Sequence, residues 1–317
     1  MKENMLELLV CPHCHANLEL KDSSIASGEI RSGVLRCAAC DRSYPIVDFI
    51  ARFVATDSYV DTFSFEWNKF HDVQMDILNR TDISEKTFSS KTGWFPEDLR
   101  GKRILDVGVG AGRFADVVSR WGGEAIGVDL SFAVNAADKN IGRRHNVHIL
   151  QADLFRLPFR EGTFDAIYSI GVLHHTPDTE KAFQAIVPYL KNGGEIAIFL
   201  YAYGPYHAWS DRWRKMTTRL PTRLTYCLSS IAVPLYYIHK VPFLGKVTQL
   251  LLPTSMWPDW RWRWLDTLDW YTPRYQWKHS WPEVYRWFQE AGLRDMDLFQ
   301  ESRDSSLGLI CMRGRKP

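Results

Sequence analysis

At 317 residues the chain has room for about two domains, at roughly 150 residues each. It is 45% hydrophobic and 24% charged, and 39 Lys+Arg against 37 Asp+Glu leave a formal net charge of +2. These values exclude a disordered or collagen-like chain and a partner chosen by overall charge. Two counts depart from the ordinary: 13 Trp, and 6 Cys of which four fall within the first 40 residues.

The N-terminal MKENMLELLVCPHC lacks a basic region followed by an apolar run of about 7–15 residues, so no secretory signal is expected and the cytoplasm is the expected compartment. In a reducing compartment closely spaced cysteines serve as metal ligands rather than disulfides. Cys11-Pro-His-Cys14 and Cys37-Ala-Ala-Cys40 form two C-x2-C knuckles separated by 22 residues. Each knuckle places two thiolates on one side of a tight turn, and the pair closes a tetrahedral site with no open position, so the zinc expected there is structural. Between them, LELKDSSIASGEIRSGVLRC reads as short strands joined by Ser/Gly turns. With SYPIVDFIARF following, residues 1–55 resemble the zinc ribbon of the tRNA-methyltransferase-activator family, a module found alone or fused to a methyltransferase.

From Lys102 the pattern changes to apolar strands alternating with helices: RILDVGVGAGRF, GGEAIGVDLS, HNVHILQADL, FDAIYSI and GEIAIFLY. Such alternation predicts an open parallel α/β sheet with its ligand at the carboxyl ends of the strands. Gly108, Gly110 and Gly112 make a tight loop that a ligand can approach closely. Their G-x-G-x-G spacing differs from the dinucleotide G-x-G-x-x-G. Asp106, two residues before the first Gly, places a carboxylate beside the loop. Asp129, 17 residues beyond Gly112, is placed to accept ribose hydroxyls, and Asp153 follows the third strand where an adenine amine can be held.

With these residues the chain resembles the class I S-adenosylmethionine-dependent methyltransferases over about residues 60–201 and 281–317, through LDVGVGAGRFA, AIGVDLS, QADLFRLPF, FDAIYSIGVLHHTPD and LKNGGEIAIFLY. The resemblance implies an α/β, Rossmann-like methyltransferase core over residues 56–201 and 281–317, joined to the ribbon and to a mostly helical cap inserted at 202–280. It assigns Asp129 to the ribose, Asp153 and the backbone near Leu154 to the adenine, and the Gly108–Gly112 loop, with Asp106, to the methionine end. Leu130 and Ser169 complete the expected cofactor residues. The isolated core is expected to bind cofactor without the ribbon. Upstream, FSFEWNKFHDVQMD resembles the lid helix of ribbon-fused bacterial methyltransferases, with Trp67 and Gln74 as candidates to close over the cofactor.

The acceptor is read less directly. No Asn/Asp-Pro-Pro-Tyr follows the fourth strand, and no Cys stands near a strand end of the central domain, which removes two common nucleic-acid chemistries. Gly171-Val-Leu-His174-His175-Thr-Pro is instead similar to small-molecule O- and C-methyltransferases of the ubiquinone-biosynthesis type, and makes His174 and His175 candidate general bases. Residues 202–280 exceed the short connection a minimal core needs. They hold eight of the 13 Trp, including Trp209, with 11 Lys/Arg against 4 Asp/Glu, a charge of +7 beside −5 for the rest. A basic, aromatic cap that sets substrate selectivity is therefore expected over the cofactor. Within it, WRWRW cannot bury every side chain as either helix or strand; as a strand it would put Arg261 and Arg263 on one face opposite the Trp. Tyr271, Tyr275 and His279, in the segment returning to the core, are second-rank catalytic candidates. Leu224–Leu252 is apolar but broken by Pro234, His239, Lys240, Pro242 and Lys246, which predicts no transmembrane segment and leaves contact with a membrane surface open. The expected substrate is a small molecule or a lipid or glycan head group. An RNA is the alternative, and a non-catalytic binding module the third.

Overall fold

The computed structural model describes residues 1–54, 60–203, 207–299 and 308–317; the side chain of Trp209 lies outside the described residues. The ribbon contributes β1 (Leu18–Ala26), β2 (Glu29–Cys37), β3 (Ser43–Val47) and β4 (Ile50–Arg52). A helical segment follows, with α1 (Asp61–Lys69), α2 (Asp76–Asn79), α3 (Ile83–Thr92) and α4 (Pro96–Leu99). The α/β core then runs β5 (Arg103–Val107), α5 (Arg113–Arg120), β6 (Glu124–Asp129), α6 (Val134–Ile141), β7 (Val147–Gln151), β8 (Phe164–Ile170), α7 (Thr179–Ile186) and β9 (Leu190–Tyr201). The insertion supplies α8 (His207–Thr217), α9 (Thr222–Ser229), α10 (Ala232–His239), α11 (Leu244–Leu251) and α12 (Trp260–Tyr271). The chain closes with α13 (Trp281–Glu290), β10 (Arg294–Phe299) and β11 (Leu309–Arg315).

One 11-stranded sheet carries all the strands, in the order β1-β2-β3-β4-β7-β6-β5-β8-β9-β11-β10. Strands β4 through β9 pair in parallel, whereas β11 runs antiparallel to both β9 and β10. The parallel strands are covered on both faces, which is why they read as continuous apolar runs: all five residues of β7 are buried. Connections at their carboxyl ends place the glycine loop after β5, Asp129 at the end of β6 and Asp153 just beyond β7 along one rim.

The ribbon joins the core directly. β4 pairs with β7 through Ala51–Leu150 and Arg52–Gln151, so the ribbon continues the core sheet. The Val10 amide donates to the Pro158 carbonyl at 2.9 Å, and Met5, Leu9 and Leu35 share one hydrophobic cluster with Leu150 and Phe159.

The insertion is helical, as expected, and WRWRW opens a helix. Asp259 accepts a hydrogen bond from the Trp262 amide at 2.8 Å, an N-cap that starts α12 through this segment. Trp262, Leu265 and Leu268 are buried with Phe70 and Val73 of the lid in a second core, where Trp264 stacks on Tyr226 with centroids 4.5 Å apart. These tryptophans are packing residues. Part of the basic charge is also tied down: Arg261 grips Asp72 with two bonds of 2.6 and 3.0 Å, Lys278 pairs with Asp211, and Arg214 donates to the carbonyls of Trp270 and Pro273.

Candidate functional site

A cavity of about 500 Å³ opens over the carboxyl ends of the parallel strands. Its floor is built by glycine. Gly108 has φ +88°, and a Cβ there would come 2.2 Å from Val172, while Gly110 at φ +51° lies under the indole of Trp67. The Gly110 amide donates to Asp129 Oδ2 at 3.0 Å, and the amide and hydroxyl of Ser131 donate to Oδ1 at 2.9 and 2.7 Å. Asp129 thus fixes the loop, and Oδ2, which takes only the Gly110 amide, keeps a lone pair for a hydroxyl. Burial pushes its carboxyl up, and the bonds from Ser131 and Gly110 oppose that shift. Asp153 caps the turn at Leu154–Arg156 by accepting from the Phe155 amide at 3.0 Å. Gly108, Gly110, Asp129, Leu130, Asp153 and Leu154 all line the cavity, and Trp67 and Gln74 of the lid segment line it opposite them.

Three expected cofactor residues stand behind that lining. Asp106 is 3% exposed beneath the loop, and burial lifts its pKa to about 7 against the opposing phenol of Tyr168. The Ser169 hydroxyl donates to the Val107 carbonyl at 3.0 Å, tying β8 to β5. At Gly112, φ +89° and a Cβ position 2.7 Å from Ile141 tie the glycine to the close approach of α5 and α6. These residues shape the loop from below instead of lining the cavity.

The candidate bases separate. His175 lines the cavity; its Nδ1 lies 2.8 Å from the Tyr275 carbonyl, which can only accept, so Nδ1 donates and Nε2 keeps the lone pair. Burial takes its pKa down to about 3, so the ring is neutral across the usable pH range. His174 is fully buried between His175 and Tyr201, both ring nitrogens lack a hydrogen-bond partner among the described residues, and burial holds it far below the usual histidine range. It packs and does not reach the cavity. Tyr271, Tyr275 and His279 are likewise corrected. The Tyr271 hydroxyl donates to the Pro253 carbonyl at 2.6 Å, Tyr275 acts through its carbonyl, and His279 Nδ1 lies 3.1 Å from Glu283 while its amide donates to Tyr201. All three pin the returning segment, and none lines the cavity.

The expected basic cap is reversed inside. The charged groups that the insertion brings to the cavity are Asp266 and Asp269; the cations lining it, Lys91 and Arg113, come from α3 and α5. Their spacing of three in LDTLD puts both acids on one face of α12. Burial raises Asp266 to about 6 and Asp269 to about 7. Glu66 beside them is fully buried with neither oxygen hydrogen bonded among the described residues, and desolvation, reinforced by both aspartates, holds it well above the carboxylate range. Sequence reading missed this group, although LDTLD carried its signal.

The four cysteine sulfurs of the ribbon all lie within 4.8 Å of one another, with Cys11–Cys40 at 3.6 Å and Cys14–Cys37 at 3.4 Å. Thiolates 2.3 Å from a tetrahedral zinc are about 3.8 Å apart, so the donor set fits a structural zinc. Among the described residues no other group of His, Cys, Asp and Glu gathers in this way.

The strand order and the glycine-floored rim define a Rossmann-like methyltransferase fold. Residues 105–198 match the methyltransferase domain family, and residues 2–48 match the Trm112p-like proteins. The chain therefore combines a class I methyltransferase domain with an N-terminal Trm112p-like domain. The probable tRNA methyltransferase 9B of Mus musculus is 30% identical over 38% of this chain and 27% of its own length. Phosphoethanolamine N-methyltransferase 2 of Caenorhabditis elegans is 29% identical over 48% and 35%. Sterol 24-C-methyltransferase ERG6 of Saccharomyces cerevisiae is 31% identical over 32% and 27%. The aligned region thus spans about a third or less of these relatives. Among solved structures, the complex between the Haloferax volcanii Trm112 methyltransferase activator and the putative methyltransferase matches with a TM-score of 0.50 at 15% identity, covering 82% of this chain and 100% of that one. At that identity the likeness is one of fold.

Proposed function

We propose that the protein transfers a methyl group from S-adenosylmethionine to a small molecule, or to the head group of a lipid or glycan, in a reducing compartment such as the cytoplasm. The observation that carries this reading is a single cavity whose glycine floor and strand-end acids face a chamber walled by the lid and α12. Asp129 and Leu130 would hold the ribose, Asp153 and Leu154 the adenine, and the backbone at Gly108–Gly110 the methionine end. When bound, the cofactor supplies an electrophilic methyl on a sulfonium. The chain's task is then to align a nucleophile and take its proton. Trp67 and Gln74 cover the floor and exclude water. Asp269 and Asp266, with pKa values lifted toward neutrality, are suited to grip the acceptor and receive the proton, and the neutral Nε2 of His175 can accept a hydrogen bond from it. Calorimetric titration with S-adenosylhomocysteine tests the reading: one site per chain is expected, and no binding would overturn it.

An RNA substrate is the second reading, supported by the tRNA-methyltransferase relative and the Trm112p-like domain. The acids facing the cavity from α12 repel phosphates, which favours the first. Binding of bulk tRNA that falls steeply with salt would reverse the order.

A further inference from the structure

The outer side of the cap is unlike the rest of the surface. Twelve of the 26 large apolar side chains exposed among the described residues fall between Leu220 and Leu251, in about a tenth of the chain. They follow helical spacing. In α9 and just beyond it, Leu224, Leu228 and Ile231 are exposed at i, i+4 and i+7, and in α11 Leu244, Val247 and Leu251 at i, i+3 and i+7. Each of α9, α10 and α11 buries a different face. Tyr226 of α9 stacks on Trp264, Tyr236 of α10 lies under the Arg263 guanidinium at 3.7 Å, and Gly245 of α11 sits against the His239 carbonyl. The outward faces therefore have no cover among the described residues. Between α10 and α11, Phe243 is 83% exposed at a left-handed φ of +65°, a conformation that a bulky residue adopts only where the chain must turn tightly.

Charge identifies what such a face meets. Between Asp211 and Asp259 lie 47 residues with seven Lys/Arg and no Asp or Glu. Of the seven, only Arg214 is buried; Lys215, Arg219, Arg223 and Lys246 are exposed with no acidic partner among the described residues. A second copy of the chain would fit poorly, because a two-fold contact sets this segment's cations against themselves. A nucleic acid would satisfy the cations and leave the leucines, Phe243 and Ile231 in water. An anionic bilayer satisfies both, since lysine and arginine reach lipid phosphates while apolar side chains enter the acyl boundary.

We propose that α9, α10 and α11 form a peripheral docking surface for an anionic membrane leaflet, with Phe243 at its leading edge. The surface is separate from the chemistry: α12 lies between it and the cavity, lining the cavity with Asp266, Asp269 and Trp270 and meeting α9 and α10 through Trp264 and Arg263. The inference does not depend on the methyl-transfer reading.

Flotation of the full chain with vesicles of phosphatidylcholine alone, or with about 30% phosphatidylserine, tests it. The expected result is at least about tenfold more protein carried by the anionic vesicles, a preference reduced at high salt. Phe243→Asp combined with Val247→Asp should abolish flotation, and Lys240→Glu with Lys246→Glu should remove the anionic preference. Unchanged affinity of both variants for S-adenosylhomocysteine would show that they fold. Equal, weak flotation with both vesicle types, or wild-type flotation of the Phe243/Val247 variant, would overturn the proposal. So would a stable dimer in sedimentation that this variant splits. Loss of cofactor binding in the wild type, with flotation intact, would instead count only against the methyl-transfer reading.

Discussion

At the scale of single residues, the cavity gathers groups held away from their ordinary charge states. Asp269 moves from 3.8 to about 7 because burial disfavours its anion. An acid whose folded pKa is raised keeps its proton while the unfolded chain has already released one, so between about pH 4 and 7 stability is lost as pH rises. Asp269→Asn removes that penalty. Its melting temperature should match the wild type near pH 4, exceed it increasingly up to about pH 7, and exceed it by a constant amount above that. The gain should be on the order of 1 kcal/mol, or about 2–4 °C, once water reaching the cavity is allowed for, while methyl transfer falls. A difference that stays flat with pH would exclude Asp269 as the titrating group. Asp129→Ala should weaken S-adenosylhomocysteine binding about 10- to 100-fold in calorimetry, because the loop loses its tie at Gly110 and the ribose its acceptor.

At the scale of elements, the glycine loop is the most constrained turn of the site. Gly108→Ala adds a Cβ 2.2 Å from Val172 at φ +88°, and should cost roughly 1–3 kcal/mol in chemical denaturation together with most cofactor affinity. Strands β5 to β9 and this loop were legible in the sequence because their signals are local: apolar runs bounded by turns, and glycines at fixed offsets. The cysteine knuckles were legible for the same reason. Alternating Trp and Arg in α12 imitates a period of two, so WRWRW by itself does not decide between helix and strand; Asp259 immediately before it supplies the N-cap. The lining was also hidden where it depends on packing depth. His174 and His175 are neighbours in sequence and both buried, and only the three-dimensional path of β9 and the returning segment packs one away and turns the other toward the cavity. Equally, the +7 of the insertion gave the right total and the wrong direction, since none of its bases lines the cavity and two of its four acids, Asp266 and Asp269, do.

At the scale of the whole molecule, the ribbon and the core share one sheet and one hydrophobic cluster. Cys37→Ser, or chelation, should therefore release about one zinc per chain and lower the melting temperature of the entire protein in a single transition, instead of melting a separate small domain first. Two transitions in calorimetry, with the later one unchanged, would show that the junction at β4 and β7 carries little of the coupling.

That junction also decides how the protein fails. β7 reads VHILQ, is buried throughout, and has its outer edge occupied by a three-residue strand of the ribbon. If the ribbon loosens, a short, uncharged, β-prone edge is uncovered that can template pairing between chains. Metal starvation would then yield insoluble protein in place of a quietly inactive monomer, and the cysteine tetrad acts as a guard against self-association at a distance from any chemistry.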